Sequence, residues 1–279
     1  MPLVTIRLFA WISFPMILGV QPAFAHGEPH ERISQITGEL RESPSAGLFF
    51  KRGCLHLDHG EVEAALADFL EVDRLAPGEF ETDAPRAEGY LQLGQFPQAL
   101  EALNRELDRD PAASRCLVLR ARVFGRLGEP APAIRDYRKA LSLVPQADPD
   151  LLLEVSTALA ANKQSKAALG ILDQGIARLG PLPSLVNAAI ETELGIGNTE
   201  AALRRIDRAR DAAPRPEPWM ARRASILARA GRTAESRAAW QAILTQISAL
   251  PPGERSSHAM YSRVREARDA LAALESIPR

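Results

Sequence analysis

The sequence predicts an all-α fold, a solenoid of about six stacked helix–turn–helix units with a capping helix at each end. Three observations predict it. In Ser114–Ala147, Leu117, Phe124 and Leu127 share one face of a helix, and Ile134, Tyr137, Ala140 and Leu141 share one face of a second. Gly128, Pro130 and Pro132 break the chain between them, and Pro145 closes the second helix. The same skeleton recurs 34 residues earlier as Tyr90, Gly94, Ala99, Leu103 and Pro111, and 34 earlier again as His56, Gly60, Ala65, Phe69 and Pro77. A helix pair of this size cannot bury its own apolar faces and stacks on its neighbours.

Residues 1–25 have the pattern of a targeting segment. Arg7 is the lone charge, Leu8–Val20 is an apolar run of 13 residues, and Ala23-Phe24-Ala25 fits the small-x-small cleavage rule. The run falls short of the roughly 20 residues of a membrane span. Cleavage after Ala25 is therefore expected, giving an exported chain, periplasmic or secreted, with no membrane span. It would begin His26-Gly27-Glu28-Pro29-His30. A terminal amine and an imidazole can chelate copper, so His26 and His30 are the candidate ligands of an alternative metal-handling role. His56 and His59 follow, but one sits at a buried aromatic position and the other before a turn. A structural reading of these histidines leads, with no cofactor expected.

Residues 26–45 hold a short helix spaced by Ile33, Ile36 and Leu40 and ended by Ser43-Pro44, which covers the first face of the stack. Six units then fill residues 46–250. They start at Ala46, Phe80, Ser114, Pro149, Pro183 and Glu217, in steps of 34, 34, 35, 34 and 34. The small residue where the two helices of a unit cross is Ala65, Ala99, Ala133, Ala168, Ala202 or Ser236. The turn residue is Gly60, Gly94, Gly128, Gly197 or Gly231, with Lys163 the exception. Pro85 delays the first helix of unit two, which is expected to start at a Thr82 or Asp83 cap. In unit five Glu193 takes a position that is usually apolar, which suggests a local register shift, and unit four ends on Gly180 instead of proline. Within residues 251–279, Pro251-Pro252-Gly253 breaks the chain. Met260, Val264, Ala267, Leu271 and Leu274 then form one stripe. Its mixed charges favour a packed capping helix over a membrane-surface one.

Units one and three carry a resemblance to the tetratricopeptide family. Phe49-x2-Arg52-Gly53-x2-His56, Ala65-x3-Phe69 and Pro77 parallel Leu117-x2-Arg120-Ala121-x2-Phe124, Ala133-x3-Tyr137 and Pro145. The resemblance implies a right-handed α-solenoid without enzymatic activity, whose first helices line a concave groove for a protein or peptide partner. Carried onto this sequence, the groove takes Phe50, Cys54, Leu57 and Asp58 from unit one and Glu88 and Gln92 from unit two. Val118, Arg122 and Arg126 come from unit three, Leu153 and Thr157 from unit four, and Asn187 and Glu191 from unit five. The Lys/Asn clamp that some relatives use for chaperone C-termini is missing.

A formal net charge of −1 argues against a general nucleic-acid binder. There is no Gly-rich phosphate loop, His-Glu-x-x-His helix, Gly-x-Ser-x-Gly elbow or Cys-x-x-Cys, so no catalytic residue is assigned. Cys54 and Cys116 fall in the first helices of units one and three, too far apart for a disulfide. Besides a partner-binding scaffold, two roles remain open: copper handling, and assembly of envelope or exopolysaccharide machinery.

Two charge patterns give sharper expectations. Arg52 and Asp68, like Arg120 and Asp136, stand 16 apart at matching places and should pair across the seam of their units. Arg115, Arg122 and Arg126 share a helix face. Equal positions in adjacent units predict Glu88 opposite Arg122 and Asp150 near Arg115. Arg126, between Gln92 and Ala161, is then left unpaired; the alternative reading of the three arginines is an anion site for an acidic peptide or polyanion.

Overall fold

In a computed structural model the chain is described over residues 29–144 and 148–275. The targeting segment, its cleavage point, His26 and Pro145 lie outside the described residues. Those residues form fifteen α-helices, and no strand occurs among them. They divide into two compact units, one ending at Phe80 and the other beginning at Glu81.

The first unit holds α1 (Pro29–Glu42), α2 (Ala46–Asp58) and α3 (Val62–Leu75). Ser45 starts α2, its hydroxyl accepting from the Leu48 N–H. Gly60, at φ 75°, turns the chain into α3 in a backbone region that side chains resist. Ala65, Phe69 and Val72 of α3 are fully buried, and Gly53 of α2 lets the two helices close. A Cβ on Gly53 would stand 2.8 Å from Phe69 Cε1. Leu40 of α1 is buried, and α1 packs on α2.

The second unit pairs α4 (Asp83–Gln92) with α5 (Phe96–Arg109), α6 (Ser114–Arg126) with α7 (Pro130–Leu143), and α8 (Pro149–Ala161) with α9 (Ser165–Leu179). Further on, α10 (Pro183–Gly195) pairs with α11 (Thr199–Ala212), and α12 (Glu217–Arg229) with α13 (Thr233–Ala249). Each second helix also packs on the first helix of the next pair, which makes the all-α helical-repeat solenoid. Pro85 shortens α4 as expected: the helix begins at Asp83 with Thr82 in the capping place, though without a side-chain cap bond. Ala99, Ala133, Ala168, Ala202 and Ser236 are buried where the paired helices cross. Ser236 keeps its hydroxyl satisfied there by donating to the Ala224 carbonyl at 2.8 Å. A one-turn helix, α14 (Pro252–Arg255), occupies the predicted break, and α15 (His258–Glu275) packs Met260, Ala267 and Leu274 against α13 and α12.

Lys163 stands in the left-handed region at φ 58°, where the other units have glycine. That conformation costs a residue with a Cβ about 1–2 kcal/mol, partly offset by the greater freedom glycine loses on folding. Lys163→Gly is expected to stabilise the chain by roughly 0.5–1 kcal/mol, read as a higher midpoint in urea melts.

The seam pairs are formed. Arg52 clasps Asp68 with bonds of 2.8 and 2.6 Å, and Arg120 clasps Asp136 at 2.7 and 3.0 Å. Both aspartates are buried, and the two-pronged guanidinium satisfies both carboxylate oxygens. Glu193 corrects the expectation of a register shift. Helix α10 runs unbroken through it, and the buried carboxylate is held by Arg205 at 3.2 Å and Asn198 at 3.1 Å. Arg205 also reaches Asp173 of α9.

Candidate partner-binding groove

An opening with apolar walls lies between α6 and α8 in the second unit, a cavity of about 770 Å³. Val118 lines a second, adjoining cavity of about 420 Å³, nearer the N-terminal ends of the same helices. The first-helix periodicity builds both. Residues on the opposite sides of α6 and α8, such as Leu117, Val155 and Leu159, are in the core, which leaves Arg122, Arg126, Leu153 and Thr157 facing the opening.

Arg122 joins the two cavities. It donates to both oxygens of Glu154, at 3.0 and 2.7 Å, and the Tyr137 hydroxyl donates to the same carboxylate at 3.2 Å. Burial raises the Tyr137 phenol well above its usual range, with the Glu154 charge adding to the effect, so it remains a donor. This corrects the predicted ladder. Arg122 pairs forward with Glu154 rather than back with Glu88, and Glu88 instead accepts from Arg115 at 2.6 Å. Asp150 has no ion pair among the described residues and lines the smaller cavity.

A second clasp shows the rule behind the correction. Arg222 of α12 donates to Glu191 of α10 at 2.6 Å. Arg122 and Glu191 hold the same position in their units, as do Glu154 and Arg222, so the two pairs are equivalent with the charges exchanged. The partner sits about one helical turn toward the N-terminus of the neighbouring first helix. The stagger between stacked units sets that offset, and equal sequence positions do not report it.

Arg126 has no ion pair among the described residues. A basic residue at a helix C-terminus often binds the last carbonyls. Here the Val123, Phe124 and Gly125 carbonyls already accept from the N–H groups of Leu127, Glu129 and Gly128. The Arg126 guanidinium is left exposed at the mouth of the larger cavity.

The remaining groove candidates scatter. Leu57 is buried in α2 and offers no binding surface, a correction forced by its inward face. Phe50 is half-buried, its ring 6.0 Å from Phe69 and 5.4 Å from Phe80, so it packs within its own unit. Cys54 is half-buried, while Asp58 and Gln92 are exposed. Asn187 keeps a buried Oδ1 without a partner among the described residues. Neither cysteine is in a disulfide, and burial, followed by the Glu106 charge, pushes the Cys116 thiol up to about 11, away from the reactive thiolate. His56 turns to Glu61, and His59 turns to His30, with ring centroids 5.4 Å apart. Among the described residues no helix is long and apolar enough to cross a membrane.

The tetratricopeptide-repeat sequence profile matches residues 85–150 and 187–252. A tetratricopeptide repeat protein from Parabacteroides merdae superposes with a TM-score of 0.55 over 90% of this chain and 93% of that one, at 14% identity. The C-terminal part of a TPR repeat-containing protein from Cytophaga hutchinsonii does so with the same score over 90% and 92%, also at 14% identity. At these identities the likeness concerns the fold. The human General transcription factor 3C polypeptide 3 is 25% identical over 182 residues, 63% of this chain and 20% of that protein. This chain thus spans about a fifth of that relative's length. The chain carries tetratricopeptide repeats over the matched residues, and its repeats form a helical scaffold of the kind used for protein interaction.

Proposed function

We propose that this chain is an exported, non-enzymatic scaffold that holds an extended segment of a protein partner in the groove between α6 and α8. The observation that carries this reading is the larger cavity itself, apolar along Leu153, Ala158 and Ala161 and topped by the partnerless Arg126. Apolar walls with few directed polar groups are what a ligand-binding cleft requires. Export rests on the first 25 residues, and intact mass of protein recovered from the producing cell should show a chain beginning at His26.

The groove is tested by placing a photo-crosslinking residue at Thr157, in the opening, and at Arg135, exposed on the second helix of the pair. A partner from the envelope fraction should label at Thr157 and not at Arg135, and Leu153→Asp should abolish the label. Equal labelling at both positions would end the assignment. A second reading, copper handling, is favoured by one observation, the neighbouring rings of His30 and His59. Metal analysis of the mature protein decides it: one equivalent of copper, lost in His30→Ala, supports a metal role.

A further inference from the structure

We infer that the groove between α6 and α8 selects a bipolar segment of its partner, basic at one end, apolar in the middle and acidic at the other. The inference rests on the groove being the partner site and concerns what that site accepts. Its basis is the separation of charge along the two helices. At the N-terminal ends of α6 and α8 the smaller cavity gathers Glu88, Asp148, Asp150 and Glu154 against Arg115 and Arg122. Two of those carboxylates are taken internally, Glu88 by Arg115 and Glu154 by Arg122. Asp148 caps α8, accepting from the Leu151 N–H at 2.9 Å, and Asp150 is exposed without an ion pair among the described residues. This end therefore carries an excess of negative charge.

The other end has the opposite sign. The larger cavity holds Arg122 and Arg126 against Glu154 alone, and the Arg122–Glu154 pair cancels at the boundary between the cavities. What remains is Arg126, whose own helix end is already satisfied by backbone donors. The stretch between the two ends is apolar, supplied by Val118 and Leu153. From Ser114 to Arg126, α6 spans about 18 Å at 1.5 Å per residue. An extended peptide covers that in about five or six residues at roughly 3.3 Å each. A segment of that length with a cation at one end and a carboxylate at the other meets complementary charge at both ends. A uniformly acidic or basic segment meets repulsion at one of them.

The probes are synthetic fluorescein-labelled peptides with one apolar centre: Lys-Lys-Leu-Leu-Glu-Glu, its inverse Glu-Glu-Leu-Leu-Lys-Lys, and all-Lys and all-Glu flanked versions. Fluorescence anisotropy with the mature full chain should show at least one bipolar peptide binding tenfold or more tightly than either unipolar one. The advantage should collapse at high salt, where screening shortens the reach of each charge. Arg126→Glu should abolish the bipolar preference and favour the all-Lys peptide, while Asp150→Lys should favour the all-Glu peptide. Both side chains are exposed and unpaired, so unchanged melting curves are expected and serve as the folding control. Equal binding of all four peptides, or unipolar binding that survives both substitutions, would overturn the charge selection. So would no binding by any of them. In each of those cases a Thr157 crosslink that persists leaves the groove as the partner site, whereas loss of the crosslink removes that reading as well.

Discussion

Replacing Arg205 with alanine is expected to destabilise the second unit by about 3 kcal/mol, the lower end of the range for orphaning a buried charge. Glu193 is only 6% exposed, and without Arg205 its carboxylate retains the amide of Asn198 at 3.1 Å and no cation. The lower end applies because the outer partner of Arg205, Asp173, is half in solvent and contributes little. The companion experiment separates the cost of a stranded charge from the worth of the network. At the position of Glu193 the neighbouring units carry Leu159 and Leu227, both fully buried. Glu193→Leu combined with Arg205→Met should therefore lie within about 1 kcal/mol of the wild type, since apolar replacement of a buried pair is close to neutral. Urea unfolding of the two variants measures both values. A loss below about 1 kcal/mol in Arg205→Ala would mean that Glu193 is solvated or neutral in place and that the network is incidental.

Phe69→Ala is expected to cost the first unit about 3–5 kcal/mol, the range for emptying a fully buried aromatic site. The ring has no exposed surface, lies 6.0 Å from the Phe50 ring, and packs against Gly53, where α2 presents no Cβ to it. That contact supplies a second arm. Gly53→Ala in the native background forces a Cβ to 2.8 Å from the ring and should cost about 1–3 kcal/mol by overpacking. With Phe69→Leu present the same alanine should be nearly free, because Ala87 and Ala121 are accommodated at the equivalent position elsewhere. Repeats contact mainly their neighbours, so hydrogen exchange should show the loss concentrated in α2 and α3. Uniform loss of protection along the chain would contradict this local account. Additive effects of Gly53→Ala and Phe69→Leu would mean that the two sites do not share a contact.

The period, the turn glycines and the small crossing residues were enough to specify the fold class, because each is a local demand. A positive φ at Gly60 or Gly128, and a buried alanine where two helices cross, are visible one residue at a time. The Arg52–Asp68 and Arg120–Asp136 clasps were legible for the same reason, since both partners belong to one helix pair whose geometry the repeat supplies. Lys163 was visible as an exception, and its backbone conformation is the one that glycine would have taken. Glu193 was visible as an anomaly, but its remedy was not. Asn198 from the turn and Arg205 from α11 meet at its carboxylate, and Asp173 of α9 holds the other side of Arg205, an arrangement that only packing brings about.

The groove divides along the same line. The family resemblance carried Arg122, Arg126, Leu153 and Thr157 onto the groove, and they line the larger cavity. It also put Leu57 in the groove, whereas the turn of α2 buries that side chain. Which arginine is neutralised depended on the stagger between stacked units, a distance along the helix axis that arises when apolar faces of neighbouring pairs interlock. That stagger carries Arg122 past Glu88 to Glu154, and the backbone donors of the turn occupy the carbonyls that Arg126 would otherwise bind. Local chemistry thus determined the helices, turns and seams from the sequence alone. The long-range fit of one helix pair on the next decided where the free charge stands.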